Sequence, residues 1–223
     1  MFRVTGVVKH LLILNILMYF GTFLIGEPGG NTFSQLINET DTNFWHWERY
    51  ILAIFHPSSE YFKPYQIITH MFMHGSLGHL FFNMFAVFMF APPLEALWGP
   101  KRFLFYYLFT GFGALALHLG VQTYELQYDL VNPLSKNIPM LGASGAVFGI
   151  LVGYGMKFPN SVIQLLIPPI PIKAKYFVII YAALELFFGI RGIGSGIAHF
   201  AHVGGALFGF LLILYWRKYG DRL

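Results

Sequence analysis

The sequence predicts an all-α membrane protein, a bundle of six transmembrane helices whose fourth helix is short and starts inside the membrane. Three observations carry this reading. The chain is 56% hydrophobic and only 11% charged, which departs strongly from the makeup of soluble domains. Its apolar residues fall in six separate runs, most of roughly 15 to 22 residues, and about 20 are needed to cross a hydrocarbon core at about 1.5 Å of rise per residue. The fourth run offers only about 13 residues, roughly 20 Å of helix against a core about 30 Å thick. No internal repeat or second domain is visible, so residues 1–223 read as one domain.

The first span is expected within Val4 to Ile25. Arg3 and Lys9 accompany it as in a signal peptide, but no small-x-small cleavage site follows and five more spans do, so it reads as a retained span. The second span is placed within Ser76 to Leu97, the third within Arg102 to Leu119 and the fourth within Ser144 to Met156. The fifth lies within Tyr176 to Ile190 and the sixth within Ala198 to Trp216. The long connection from Gly26 to Tyr65 interleaves Phe44, Trp45, Trp47, Tyr50, Ile51 and Phe55 with His46, Glu48 and Arg49. It is expected to form an interfacial helix in the outer leaflet, where indole and phenol rings favour the headgroup zone, or a small extracellular cap. Pro168, Pro169 and Pro171 bar a continuous helix between the fourth and fifth spans and make a short cytoplasmic loop there.

With the first residues in the cytoplasm, Arg3, Lys9, Lys101, Arg102, Lys157, Lys173, Lys175, Arg217, Lys218 and Arg222 fall on the inner side. Arg49, Lys63, Lys136 and Arg191 fall outside. This satisfies the positive-inside bias and puts both termini in the cytoplasm. The net charge of +4 is spread singly or in pairs beside apolar runs rather than in a basic stripe, so nucleic acid is not an expected partner. The absence of cysteine excludes thiol nucleophiles, disulfides and thiolate metal sites.

The fourth span is where chemistry is expected. Tyr124 to Pro139, before it, is polar and bears prolines, and irregular backbone at membrane depth is tolerated only where it lines a wet cavity or is buried in protein. Ser144 is thereby placed at a helix N-terminus below the membrane surface, where free N–H groups and the positive helix end can stabilise an oxyanion. A serine there could equally be an N-cap. His202 lies inside the sixth span, and an ionisable residue in a membrane helix points to function. Gly205 and Gly209 follow it on one face, and Gly145, Gly149 and Gly153 form a matching stripe on the fourth span. Small residues four apart let membrane helices approach closely, so the two spans should pack with the Ser144 hydroxyl and the His202 imidazole in reach of each other. His199, one turn earlier, competes for the role of base but lies nearer the outer end.

The second span contributes His79 and Asn83, four apart on one face, and His70 and His74 precede them. Hydrogen-bond donation to an oxyanion, a metal site completed by His199 and His202, and simple bonding between helices all remain open for these residues. No carboxylate lies beside them and no Glu separates paired histidines as in zinc protease helices, so no metal and no cofactor are expected.

Several segments together resemble the rhomboid family of intramembrane serine proteases. Gly142-Ala143-Ser144-Gly145 is similar to its GxSG motif, and Ala201-His202-Val203-Gly204-Gly205-Ala206-Leu207-Phe208-Gly209 to its AHxxGxxxG motif. His79-Leu80-Phe81-Phe82-Asn83 matches HxxxN, and Glu95 with Gly99 resembles ExxxG. The resemblance covers nearly the whole chain. It implies a rhomboid-like bundle with a Ser–His dyad, in which Ser144 attacks the scissile carbonyl and His202 serves as base and then acid. His79, Asn83, Gly142 and the Ser144 backbone N–H are implied at the oxyanion, and membrane-anchored proteins as substrates within the lipid bilayer. Where relatives often have tyrosine one turn after the serine, this chain has Phe148, which can still stack on the imidazole but offers no hydroxyl.

The expectation is therefore a multi-pass protease of a bacterial inner membrane, its active site opening to the extracytoplasmic side. A catalytically silent relative that binds membrane clients is the rival reading, and a histidine-lined transporter a more distant one. Glu185, the carboxylate inside the fifth span, is expected to be a neutral hydrogen-bond donor tying that span to a neighbour, not a third member of the site, because nothing in the spacing directs it to His202.

Overall fold

A computed structural model describes residues 6–22, 51–165, 169–192 and 198–220. Helix α1 covers Gly6–Gly21, and a single turn α2, Gln66–Thr69, runs into a 3₁₀ turn at His70–Phe72. Then come α3 (Leu77–Trp98), α4 (Pro100–Gln127), a 3₁₀ turn at Pro133–Asn137 and α5 (Ser144–Lys157). Two short strands, β1 (Val162–Gln164) and β2 (Pro171–Lys173), precede α6 (Ala174–Arg191) and α7 (His199–Tyr219).

The protein is an integral membrane protein. Helices α3, α4 and α7 are each long and apolar enough to cross a membrane, and α1 is a shorter apolar helix. Large apolar side chains stand open on these helices and on α6, among them Leu17, Phe82, Ile179 and Ile190, a surface suited to lipid and costly in water. Of the connection from Gly26 to Tyr65, expected as an interfacial helix or a small cap, residues 26–50 lie outside the described residues; residues 51–65 form turns and a bridge of Ile54 to Met140 rather than helix, with Phe55 buried.

Two boundaries differ from expectation. Helix α4 runs to Gln127, so Tyr124 to Gln127 is helical rather than irregular. That stretch holds no proline or glycine, and its polar composition hid one more helical turn. The chain then leaves the helix through Asp129, at φ 53°. The loop between α5 and α6 carries a β ribbon: β1 and β2 pair antiparallel, Val162 opposite Lys173, Ile163 opposite Ile172 and Gln164 opposite Pro171. The prolines that exclude helix there are compatible with extended backbone, and Pro171 sits at the end of the ladder, where its missing N–H costs least.

The described residues divide into two compact units. One is drawn from positions 6–10, 85–118, 144–165, 169–192 and 198–220, the other from 11–22, 51–84 and 119–143.

In the first unit α5 is the buried centre. Gly145 to Gly153 are all buried, which is how a helix of 14 residues avoids needing the length of a lipid-facing span. It meets two neighbours through its glycines. Toward α7, a methyl group added at Gly205 would strike the Gly145 carbonyl, and one at Gly209 would sit 3.1 Å from Gly149 Cα. Toward α4, Gly145 faces Ala114, Gly149 faces Thr110, and Gly153 faces the Tyr106 hydroxyl at 3.1 Å. Tyr106, Thr110 and Ala114 are four apart on α4, so an ascending row of small and hydroxyl-bearing side chains meets a descending row of glycines. The Tyr106 hydroxyl donates to the Gly149 carbonyl at 2.7 Å. Beyond it Tyr106, Leu212 and Ile213 pack with Trp98, Met156 and Trp216. Glu95 of α3 closes this unit at α1: its two carboxylate oxygens accept the Val7 and Val8 backbone N–H groups, each at 3.0 Å, satisfying donors that a helix start leaves unpaired.

In the second unit the segment before α2 is tied to the segment before α5. Ile54 and Met140 exchange backbone hydrogen bonds at 2.9 and 2.8 Å, the Ser59 hydroxyl donates to Asn137 Oδ1 at 2.7 Å, and the Gly142 N–H donates to the His70 carbonyl at 2.9 Å. Ala53 and Phe55 pack there with Tyr61, Phe62 and Leu141.

Gly205→Ala should lower stability by about 1–3 kcal/mol, the usual cost of overfilling a packed contact. Gly120→Ala, on α4 with nothing within 4 Å of the added methyl, should be neutral or stabilising by up to about 1 kcal/mol. Thermal midpoints of the two variants in detergent test the difference.

Candidate active site

Ser144 is the first residue of α5, and two residues before it Gly142 has φ 128°, a backbone that side-chain-bearing residues rarely adopt. The glycine of the Gly-x-Ser-Gly segment is thus required by the turn that starts the helix. His202 lies in the first turn of α7, four residues after Ala198. The contact between Gly205 and the Gly145 carbonyl sets the separation of the two helices immediately below these side chains.

The His202 ring is held on three sides. Its Nε2 lies 2.9 Å from Ser144 Oγ, and its Nδ1 lies 2.8 Å from Glu185 Oε2. Its face stacks on Phe148, with ring centroids 4.4 Å apart and planes 10° from parallel. Phe148 is in turn backed by Tyr181 of α6 at 4.8 Å, and by Val152, Ala206 and Val178.

Glu185 corrects the sequence reading. The sequence gives no reason for it to reach the imidazole, yet its Oε2 lies 2.8 Å from His202 Nδ1 and 2.7 Å from His199 Nδ1. A carboxylate oxygen there can accept from both nitrogens, and a protonated carboxyl can donate to one and accept from the other. The third contact of the imidazole is thus an acidic side chain. The reason lies on α6: Glu185 is one turn after Tyr181, so the face that backs Phe148 also brings the carboxylate to α7. His199 and His202, three apart, share the face that receives it. That combination of spacings was present in the sequence, but it points to Glu185 only once α6 is known to pack against α5 and α7.

Glu185, His199 and His202 also bring three ligating atoms within 4.8 Å of one another. Their N···O contacts of 2.7 and 2.8 Å are hydrogen-bond lengths. Ligands sharing one tetrahedral zinc ion at about 2.0–2.1 Å would stand on the order of 3.3 Å apart.

A family model described as the Rhomboid domain matches residues 61–219. The chain belongs to the rhomboid family. Over 91% of its length it is 29% identical to Rhomboid protease AarA of Providencia stuartii, covering 69% of that protein. Putative rhomboid protease YdcA of Bacillus subtilis is 33% identical over 66% of this chain and 65% of its own. Presenilin-associated rhomboid-like protein A, mitochondrial, of Danio rerio is 30% identical over 68% of this chain and 39% of its own. The chain thus spans only part of the length of each of these relatives.

The remaining expected site residues of this rhomboid lie in the second compact unit. Asn83 is buried and its Nδ2 donates to the His79 carbonyl at 3.1 Å. His79 meets His74 edge to face, with centroids 5.0 Å apart, and His70 Nδ1 donates to the Gln66 carbonyl at 2.8 Å. Burial pushes His70 down to about 4. Burial, and after it the His79 ring, push His74 down to about 3.

Both rings are therefore neutral in the folded protein at neutral pH. An unfolded histidine takes up its proton near pH 6.5, so between there and about 4 the unfolded chain binds protons that the folded chain does not. Stability from these two sites should be complete above about pH 6.5 and lost as pH falls toward 4 and then 3. Thermal midpoints across pH 7 to 4 should fall, and fall less in His74→Gln.

Proposed function

We propose that this rhomboid is an intramembrane serine endopeptidase that cleaves membrane-anchored proteins, with Ser144 as nucleophile and His202 as general base. The 2.9 Å approach of His202 Nε2 to Ser144 Oγ carries the reading. An unassisted serine hydroxyl is a weak nucleophile, and an imidazole nitrogen at this distance can take its proton as Oγ attacks the scissile carbonyl. The same nitrogen then returns the proton to the leaving amine. Phe148 holds the ring face through both transfers. Because Ser144 opens α5, the free backbone N–H groups of the first helical turn and the positive helix end favour the negative oxygen that develops. The assignment of His79, Asn83 and Gly142 to the same oxygen rests on the sequence motifs. The single domain over 1–223, the six spans with cytoplasmic termini, the extracytoplasmic opening of the site and a bacterial inner membrane as location are part of the same proposal, supported by the apolar runs and the placement of Lys and Arg.

The reading predicts that Ser144→Ala and His202→Ala each abolish cleavage of single-span reporter proteins while the folded protein is still extracted. A fluorophosphonate should label wild type and miss Ser144→Ala; labelling that persists in the variant would sink the assignment. Wild type that binds the reporters but neither cuts them nor is labelled would favour a silent relative that escorts membrane clients. His199→Ala should keep measurable activity.

Removing one oxyanion donor commonly costs on the order of 100-fold in rate. His79→Ala and Asn83→Ala should accordingly lower turnover by about that factor with little change in reporter binding. Full turnover in either variant on several reporters would remove that residue from the proposed role.

A further inference from the structure

The proposed chemistry employs Ser144 and His202 and leaves the buried Glu185 and His199 without a task. Both touch the reacting ring's network: Glu185 Oε2 lies 2.8 Å from His202 Nδ1 and 2.7 Å from His199 Nδ1. We infer that Glu185 is a positioning residue of the peptidase, one that holds the His202 imidazole in the tautomer and in-plane orientation needed to accept the Ser144 proton. His199 anchors the carboxylate as its second donor. This inference rests on the reading of Ser144 and His202 as nucleophile and base.

Hydrogen-bond accounting carries the argument. A carboxylate oxygen only accepts, so the His202 nitrogen facing it bears the proton. The other nitrogen, Nε2, is then left with its lone pair directed at Ser144 Oγ, which is the state a general base requires. Stacking on Phe148 fixes the plane of the ring but not its rotation within that plane. The contacts of Nδ1 with Glu185 and of Nε2 with Ser144, on opposite edges of the ring, fix that rotation.

Charge gives a second reason. A carboxylate is costly to bury in an apolar helix, and a tether between α6 and α7 could be made more cheaply by an amide. What an amide cannot supply is a negative charge beside the imidazolium that forms when His202 takes the proton. In the step itself the Ser144 oxygen bonds to the carbonyl carbon, the carbonyl electron pair moves to its oxygen, and the hydroxyl proton goes to Nε2. When the tetrahedral intermediate collapses, that proton passes from Nε2 to the leaving nitrogen. Glu185 remains an acceptor throughout and takes no proton.

The test is the rate of fluorophosphonate labelling at Ser144 in the full chain in detergent, followed at several probe concentrations so that kinact and KI separate. Glu185→Gln keeps the size and one acceptor but can turn an N–H toward Nδ1, favouring the opposite tautomer. Neutralising the carboxylate partner of a serine protease histidine costs on the order of 10⁴-fold. We expect kinact to fall about 10³- to 10⁴-fold, with KI within about twofold and the thermal midpoint little changed. Labelling within about threefold of wild type would overturn the inference, because a tether satisfied by glutamine is then all that Glu185 provides.

A variant that is slow because its fold is disturbed is separated by the double variant His202→Ala/Glu185→Gln. If Glu185 acts through His202, the double variant labels at the same residual rate as His202→Ala alone. A further drop would show an effect on the fold and overturn the inference. Failure of wild type to be labelled at Ser144 at all would instead defeat the underlying peptidase reading, which distinguishes the two failures.

Discussion

The near-contact of backbones between α5 and α7 decides where every reacting group of this rhomboid can stand. Gly205 lies against the Gly145 carbonyl and Gly209 against Gly149, so these helices approach more closely than side chains would permit. Ser144 and His202 sit one residue and three residues before the first of these contacts, on their respective helices. A hydrogen bond of 2.9 Å between them follows from backbone packing more than from any attraction between the two groups. The same glycines leave α5 open on its other side to Tyr106, Thr110 and Ala114 of α4. The short helix is consequently clamped from two directions, and the Tyr106 hydrogen bond to the Gly149 carbonyl adds a polar tie where no water competes.

Much of this could be read from the residues. The Gly145, Gly149 and Gly153 stripe, the shortness of the fourth run and the intramembrane His202 each follow from the spacing of residue types and from the cost of polar groups in lipid. The helix start at Ser144 was legible for the same reason. What could not be read were relations that depend on a third element. The α4 row opposite the glycines is inconspicuous because Tyr106, Thr110 and Ala114 are chemically unlike one another and share only a register. Glu185 is the clearest instance. In sequence it is a lone carboxyl on an apolar helix with no partner in view; once α6 lies beside α7, two imidazole nitrogens converge on it. The polar stretch after Leu119 misled in the opposite direction, since composition marks where a helix leaves lipid and not where it ends.

The carboxylate, the two histidines and the stacked phenyl ring form one arrangement with a division of labour by direction. Phe148 constrains the imidazole perpendicular to its plane, Glu185 constrains it within the plane, and Ser144 occupies the remaining edge. Phe148, lacking the hydroxyl of a tyrosine, offers the imidazole only an apolar ring, which leaves its polar contacts to Glu185 and Ser144.

Glu95 has a consequence for assembly. Its carboxylate is buried, and the groups that satisfy it, the Val7 and Val8 N–H groups, lie 88 and 87 positions earlier in the chain. During synthesis the first helix is therefore made long before the acceptor for its opening turn exists. Capping of the first turn of α1 by Glu95 must await the far end of α3, and the ordering cost of closing so long a loop falls on that late event. A nascent chain interrupted before Glu95 would hold α1 with its first N–H donors uncapped. The capping of the first helical turn thus records that translation has passed most of α3.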